Sequence, residues 1–168
     1  MESYLILDGY NILSALERYR GGAQTTLSDR RESLIRDSLK AAGWTGAIII
    51  LVFDAPRSSE PGTTEIHAGG ALRVIYTAPG ETADDQIERL VEKLTGDVRV
   101  YTADFAQQRT VLARGGTRAT PAEFADLLDE LPALVQNPEK RWRSRVADHM
   151  SVEARAAFEE IRRKERGD

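Results

Sequence analysis

The sequence predicts an α/β fold, a single domain with a mostly parallel central sheet covered by helices on both faces. Short, wholly apolar runs at residues 4–7 and 47–53 have the character of strands buried on both faces. These runs alternate with segments of helical periodicity, and this alternation is typical of parallel βαβ units. A chain of 168 residues has room for one domain with an ordinary core and little room for a second.

The strands are predicted from short runs of apolar and β-branched residues. They cover residues 4–7, 47–53, 72–76 and 98–102. Residues 57–70 are rich in Ser, Gly, Thr and Pro, and we expect a loop there.

The helices are predicted from apolar spacing and from capping residues at their starts. They are a short helix from about 11 to 18; a helix over 27–40, capped by Thr26 or Ser28 and ended by Gly43 and Gly46; a helix after Thr82, with Asp85 as capping-box partner; a turn or short helix over 105–113; and a helix from Thr120-Pro121 to about residue 131.

The last part of the chain has a different composition. Pro132 and Pro138 bracket a break, and residues 139–147 and 152–166 have helical patterns rich in charge. We therefore divide the chain into a domain over residues 1–135 and a C-terminal helical extension over residues 136–168.

Composition excludes several classes of site. With no cysteine, the chain has no disulfide and no thiolate zinc site, and its two histidines lack metal-ligand spacing. The glycines form no nucleotide-binding fingerprint, so we expect no nucleotide cofactor. No apolar run is long enough for a membrane span, and no secretory signal is evident. We therefore expect a cytoplasmic protein with no membrane partner.

Acidic residues follow two predicted strands and open one predicted helix. Asp8 follows residues 4–7, Asp104 follows residues 98–102, and Asp84 lies in the first turn after Thr82. Ligands of open α/β sheets bind beyond the carboxyl ends of the strands, so we expect these acids to converge there. Converging carboxylates repel each other unless a cation lies between them. The pattern predicts a Mg²⁺ or Mn²⁺ site suited to phosphodiester hydrolysis.

Each of the neighbouring residues also has a structural interpretation. Asp85 is placed to cap its helix, and Asp54, before Ala-Pro, could serve only in a turn. Tyr10 could line the cleft or pack beneath the loop, and Phe105 is of a type found more often in the core.

At these residues the sequence resembles the YacP-like NYN-domain family of the PIN-like nuclease superfamily. The resemblance covers roughly residues 4–130, and a weaker likeness extends to Ile161-Arg162-Arg163. Its main pieces are Leu5-Ile6-Leu7-Asp8-Gly9-Tyr10-Asn11-Ile12, Val52-Phe53-Asp54-Ala55, Gly80-Glu81-Thr82-Ala83-Asp84-Asp85 and Thr102-Ala103-Asp104-Phe105. Two positions depart from the family pattern: Ala103 stands where Ser is common, and Thr117 where Ala is common.

The resemblance implies a PIN-like fold and a metal-dependent endoribonuclease that uses Mg²⁺ or Mn²⁺. By position, Asp8, Asp84 and Asp104 match the catalytic and metal-binding acids, and we assign Glu81 as a further metal ligand. The residues expected to support this centre are Asn11, Asp54 and Asp85.

The implied partner is RNA, including mRNA, and some family members associate with the ribosome. Residues near the proposed cleft that could contact RNA are Tyr10, Arg57, Arg114 and Arg118. The alternative is a non-catalytic RNA- or ribosome-binding module that retains the fold.

Overall fold

A six-stranded sheet forms the centre of the computed structural model, which describes residues 1–54 and 62–131. The strand order is β3-β4-β2-β1-β5-β6, and β3 alone among the described strands runs antiparallel to its neighbour. The strands are β1 (Ser3–Asp8), β2 (Ile48–Phe53), β3 (Thr63–His67), β4 (Leu72–Tyr76), β5 (Asp97–Tyr101) and β6 (Thr117–Ala119). The sheet thus confirms the predicted mostly parallel α/β fold.

Helices cover both faces of this sheet. They are α1 (Gly9–Ala15), α2 (Leu27–Thr45), α3 (Ala83–Lys93), α4 (Phe105–Ala113) and α5 (Pro121–Asp129), and a 3-10 turn over Glu17–Tyr19 follows α1. No described helix has the length and apolar character needed to cross a membrane. Met1–Leu131 forms one compact unit. The predicted extension over residues 136–168 lies outside the described residues, as does Arg57.

Alternate residues of the central strands build the core layers, because successive side chains in a strand point to opposite faces. Ile6, Val52 and Val100 share a buried cluster with Ile87 and Val91 of α3, and Val111 of α4 joins the same cluster. The opposite face carries α2 against β2 and β4, and α5 against β5.

Three of the predicted helix starts carry complete capping boxes. In each, the capping threonine accepts from the backbone N–H three residues on, and the acid at that position accepts in return. The pairs are Thr26 with Asp29, Thr82 with Asp85, and Thr120 with Glu123. These helices therefore begin where local side-chain chemistry predicts.

Four details of the sequence prediction were wrong. Helix α1 begins at Gly9, not near Asn11, because Asp8 caps it. Helix α2 continues through Gly43 to Thr45, and only Gly46 terminates it, as a C-cap with a left-handed φ of 70°. The predicted loop contains β3, a largely exposed edge strand without an apolar run. The three-residue strand β6 was not predicted at all.

The chain order creates a crevice between β1 and β5. From β1 the chain passes through α1 and α2 on one face to β2, while from β5 it passes through α4 toward β6. Neighbouring parallel strands whose connections leave in opposite directions open a crevice at their carboxyl ends, where α/β proteins bind ligands. Asp8 and Asp104 lie at these two ends.

Candidate active site

Asp8 occupies the end of strand β1 and caps the helix that follows. It is the last residue of β1 and the N-cap of α1, and its Oδ1 accepts from the backbone N–H of Asn11 at 3.4 Å. Only 8% of the residue is exposed. Burial raises the pKa of Asp8 to about 6, the Asn11 hydrogen bond opposes the rise, and the charges of nearby acids add to it. Those acids are Asp84, Asp54 and Asp104.

Asp84 lies in the first turn of α3, where the helix dipole favours a negative charge. Loss of water around its carboxyl group raises its pKa, and the charges of Asp104 and Asp54 raise it further. Asp84 nevertheless remains an exposed residue, so its carboxylate is accessible from solvent.

Asp104 is held by the turn between β5 and α4. Its Oδ1 accepts from the backbone N–H of Ala106 at 2.7 Å, and its own N–H donates to Thr102 Oγ1 at 3.1 Å. Asn11 joins this turn to α1, because its Oδ1 accepts from the N–H of Ala103 at 2.8 Å. The Asn11 side chain therefore ties the Asp104 turn to the helix that Asp8 caps.

Asp54 makes the corresponding link on the other side of β1. It follows β2 directly, and its Oδ1 accepts from the backbone N–H of Ala83, the first residue of α3, at 2.5 Å. This bond satisfies an N–H that the helix itself leaves unpaired. The bond thereby places Asp84, the next residue of α3, beside the end of β2.

Four carboxylates from separate segments thus lie within electrostatic range at the carboxyl edge of the sheet. Within residues 1–54 and 62–131, however, no three acidic or histidine side chains are grouped closely enough to enclose a metal ion. The metal-binding and catalytic roles of Asp8, Asp84 and Asp104 therefore remain predictions.

Two predicted site acids have other partners. Glu81 forms an ion pair with Arg89 of α3 and accepts from the N–H of Ala78 at 3.3 Å. Glu81 therefore has a cation and a backbone donor beside it, and its role as a metal ligand stays a prediction. Asp85 completes the capping box with Thr82, in agreement with its structural interpretation.

The predicted RNA-contacting residues fall in different surroundings. The partly buried ring of Tyr10 lies 5.1 Å from that of Phe53, next to the acids. Arg114 pairs with Glu88 and Glu92 of α3, and these contacts compete with any role in binding RNA. Arg118 is exposed on β6, and its charge helps to lower the pKa of Glu123, after the hydrogen bonds from Thr120.

Two further residues, which extend the aromatic contact of Tyr10 with Phe53, were not predicted from the sequence. Tyr76 ends β4 and stacks on Phe53 at 5.6 Å, and the guanidinium of Arg31 lies 6.0 Å from the centre of the Tyr76 ring. The position of Tyr76 at the end of a predicted strand could have indicated a site residue, because the same kind of position predicted Asp8. Arg31 lies within α2, and no local pattern distinguishes it from the other arginines there.

The fold and the carboxyl edge of its sheet define the class of protein. It is a three-layer α/β domain with an acidic crevice between β1 and β5, where the strand connections change direction. A model of the YacP-like NYN domain family matches residues 5–163. The chain belongs to this family of PIN-like nucleases, and that membership supports a nuclease or RNA-related role.

Relatives extend the match over most of the chain. The uncharacterized protein YacP of Bacillus subtilis (strain 168) is 28% identical in an alignment of 168 positions that covers 95% of this chain and 96% of that protein. The crystal structure of Rae1 (YacP) from Bacillus subtilis is similar with a TM-score of 0.67 at 24% identity, covering 98% of this chain and 95% of that one. A crystal structure of a mutant of the same protein gives a TM-score of 0.65 at 24% identity, covering 90% and 87%. The two structures support the fold.

Proposed function

We propose that this protein is a metal-dependent endoribonuclease that hydrolyses RNA phosphodiester bonds with Mg²⁺ or Mn²⁺. The observation that carries the proposal is the environment of Asp8. Its carboxyl group is buried, and its pKa is raised to about 6 by that burial and by three neighbouring carboxylates. A fold gains nothing in stability from such a cluster, because like charges in a desolvated site repel each other.

The donor set fits a divalent ion of this type. Magnesium is usually held by one or two carboxylates, with waters and substrate phosphates completing its shell. Asp8, Asp84 and Asp104 could supply those one or two carboxylates, with waters and substrate phosphate as the remaining ligands. Such an ion would neutralise phosphate charge and lower the pKa of a bound water.

The protein's own part in this chemistry is to hold the acids in place before substrate arrives. Asp8 is fixed by the start of α1, Asp84 by the Asp54 bond to Ala83, and Asp104 by its bond to Ala106. Asn11 then joins the first and third of these segments. Placement on helix starts and strand ends gives a rigid constellation, and catalysis by positioning requires one.

The proposed substrate is RNA, including mRNA in the cytoplasm, and ribosome association is the second part of the proposal. Both rest on the family resemblance at Asp8, Asn11, Asp84 and Asp104 together with the acidic crevice. Sedimentation of the full chain through sucrose with ribosomes tests the second part. Absence from the ribosomal fraction would contradict it without affecting the nuclease proposal.

The test of the nuclease uses the full chain and a 5′-labelled single-stranded RNA in Mg²⁺, in Mn²⁺ and in EDTA. We expect internal cuts only with metal, and a rate lower by roughly 100-fold or more in Asp8→Asn and in Asp84→Asn, since even the outer partners of metal ligands cost about 10- to 100-fold when they are removed. The matched control is Asp97→Asn, which changes an exposed acid at the opposite end of β5. Variants that cut as fast as wild type would refute the assignment.

One observation favours the alternative of a non-catalytic RNA- or ribosome-binding module. No three of the described acids are gathered closely enough to enclose an ion. This alternative predicts RNA or ribosome binding that is unchanged by EDTA and by both Asp→Asn substitutions, with no cleavage in either metal.

A further inference from the structure

A stack of aromatic rings ends in a positive charge beside the acidic crevice. Phe53 and Tyr76 are register partners at the ends of β2 and β4, and their rings stack at 20°. The guanidinium of Arg31, from α2, lies over the Tyr76 ring. Tyr10 completes the cluster with a ring tilted 57° to that of Phe53.

Arg31 differs in its partners from four other arginines of the described residues. Arg89 and Arg114 pair with acids, and Arg18 pairs with Asp129 of α5. Arg30, its neighbour in α2, donates to two backbone carbonyls. Within the described part of the chain, no carboxylate pairs with Arg31, and its guanidinium lies against the face of the Tyr76 ring. A guanidinium held over an aromatic ring keeps its in-plane N–H groups available to a planar or tetrahedral anion.

Along the chain, the cluster lies next to two acids of the crevice, the proposed catalytic Asp8 and the supporting Asp54. Tyr10 is two residues after Asp8, and Phe53 directly precedes Asp54. The rings of Tyr10 and Tyr76 are partly exposed, while Phe53 is fully buried beneath them. A single-stranded RNA that reaches the acids across the ends of β2 and β4 would therefore pass over Tyr10 and Arg31.

We infer that Tyr10, Tyr76 and Arg31 form a nucleotide-binding subsite for single-stranded RNA, and this inference rests on the proposed function. Tyr10 stacks one unpaired base, because every base presents a π-face and single strands are bound largely by such stacking. Arg31 contacts a phosphate of the same segment, and Tyr76 holds the guanidinium in place. In an otherwise acidic crevice, this subsite supplies the attraction for RNA.

The test measures binding without turnover. The full chain with Asp84→Asn is titrated with a fluorescein-labelled single-stranded RNA in Mg²⁺, at several salt concentrations. Removing one phosphate contact reduces the slope of log affinity against log salt by about 0.7 for a single strand. We expect that reduction, with weaker binding, when Arg31→Gln is added to this parent chain, and the slope of the parent when Arg31→Lys is added. Arg36→Gln, which removes an exposed arginine of the same helix, is the matched control and should leave the slope unchanged.

Substitution of Tyr10 should change the affinity for RNA without changing its salt dependence. We expect Tyr10→Leu to weaken binding by about 5- to 20-fold, with the salt slope unchanged, because stacking carries no counterion release. Tyr10→Phe keeps the ring and should bind like its parent. A general loss of fold would lower the affinity of all these variants together. The proposed subsite instead predicts a smaller salt slope for Arg31→Gln, and a lower affinity at every salt concentration with an unchanged slope for Tyr10→Leu.

Cleavage by chains that carry Asp84 separates this inference from the proposed function. If the wild type cleaves RNA and Arg31→Gln has the same KM and salt slope, the subsite is refuted and the nuclease stands. If the wild type binds RNA with these signatures but never cleaves it, the nuclease is refuted and the subsite stands. A wild type that does not bind the RNA refutes the subsite.

Discussion

At the scale of single residues, the buried carboxylate of Asp8 serves the proposed function and at the same time lowers the stability of the fold. Its carboxyl group has a pKa of about 6 in the folded protein, against an ordinary value of 3.8. Below about pH 4 the group is protonated in both folded and unfolded chains. Between about pH 4 and 6 the folded state holds the proton more tightly, so the free energy of unfolding falls as pH rises. Above about pH 6 the group is ionised in both states, and its burial lowers the free energy of unfolding by a constant amount of about 3 kcal/mol.

The first prediction follows from that cost. In EDTA at about pH 7, Asp8→Asn should increase the free energy of unfolding by up to about 3 kcal/mol, because the buried charge is removed while an oxygen acceptor remains for Asn11. Urea unfolding between about pH 4 and 8 measures the difference between the variant and the wild type. That difference should grow from about pH 4 to 6 and then level off, and a difference independent of pH would contradict the assignment of the shift to Asp8.

The second prediction concerns Asn11, whose side chain bonds Ala103 across 92 positions of sequence. Asn11→Ala should lower the free energy of unfolding by about 1 kcal/mol, the usual contribution of one such bond. It should also accelerate hydrogen exchange at the Ala103 amide. The control is Gln86→Ala, since the Gln86 amide makes a bond to Arg89 that is local to α3. An Ala103 amide that exchanges at the wild-type rate in Asn11→Ala would show that this bond does not hold the Asp104 turn.

At the scale of elements, the junction of β1 and α1 depends on the absence of a side chain at Gly9. A Cβ there would lie 2.4 Å from two ring carbons of Phe53 and 2.9 Å from the carbonyl oxygen of Val52. The N-terminal turn of α1 therefore packs directly on the end of β2. This close approach brings Asp8 and Asp54 to the same edge, and it seats Tyr10 against Phe53.

The third prediction is that Gly9→Ala destabilises the protein by about 1–3 kcal/mol, as overpacking in a dense region usually does. Phe53→Leu in the same chain should recover part of the loss, because the clash is mainly with the Phe53 ring. The control is Gly22→Ala, where an added Cβ would meet no atom within 4 Å. Thermal unfolding of these variants and the wild type measures the effect, and equal midpoints for the wild type and Gly9→Ala would disprove the close approach.

At the scale of the whole molecule, strand order decides which segments share the crevice. Asp8 and Asp104 are far apart in sequence, yet β1 and β5 are neighbours in the sheet. Helix α3 lies across β1 and β2, so its first turn reaches the same edge. A ligand bound there would join segments from both halves of the described domain, and it would stabilise the fold as a whole.

The fourth prediction is a metal-dependent rise in the unfolding temperature of the full chain. A ligand at about 100 times its dissociation constant stabilises the native state by about 2.7 kcal/mol. We expect Mn²⁺ to raise the midpoint in the wild type and in Asp97→Asn, and to raise it much less in Asp84→Asn and Asp104→Asn. Calorimetric scans in MnCl₂ and in EDTA measure the shift. The same shift in all four chains would place the ion elsewhere.

Local signals in the sequence determined the fold class, four of the strands and the capped helix starts. Apolar runs mark strands buried on both faces, and a threonine with an acid three residues later marks a helix start. Such signals involve neighbours in the chain, so they can be recognised without the tertiary structure. Asp85 shows the same point, since its capping role follows from its distance to Thr82. The edge strands β3 and β6 carry no such signal, because partners in the sheet rather than buried apolar runs define them.

The tertiary structure alone decided which acids act on one another and which are occupied elsewhere. The bonds from Asp54 to Ala83 and from Asn11 to Ala103 join distant segments, and no periodicity predicts them. The pairing of Glu81 with Arg89, and the position of Arg31 over Tyr76, likewise depend on how helices pack against the sheet. The physical reason is range: propensity and capping act within a few residues, whereas a site is assembled by strand order and helix packing across the whole domain.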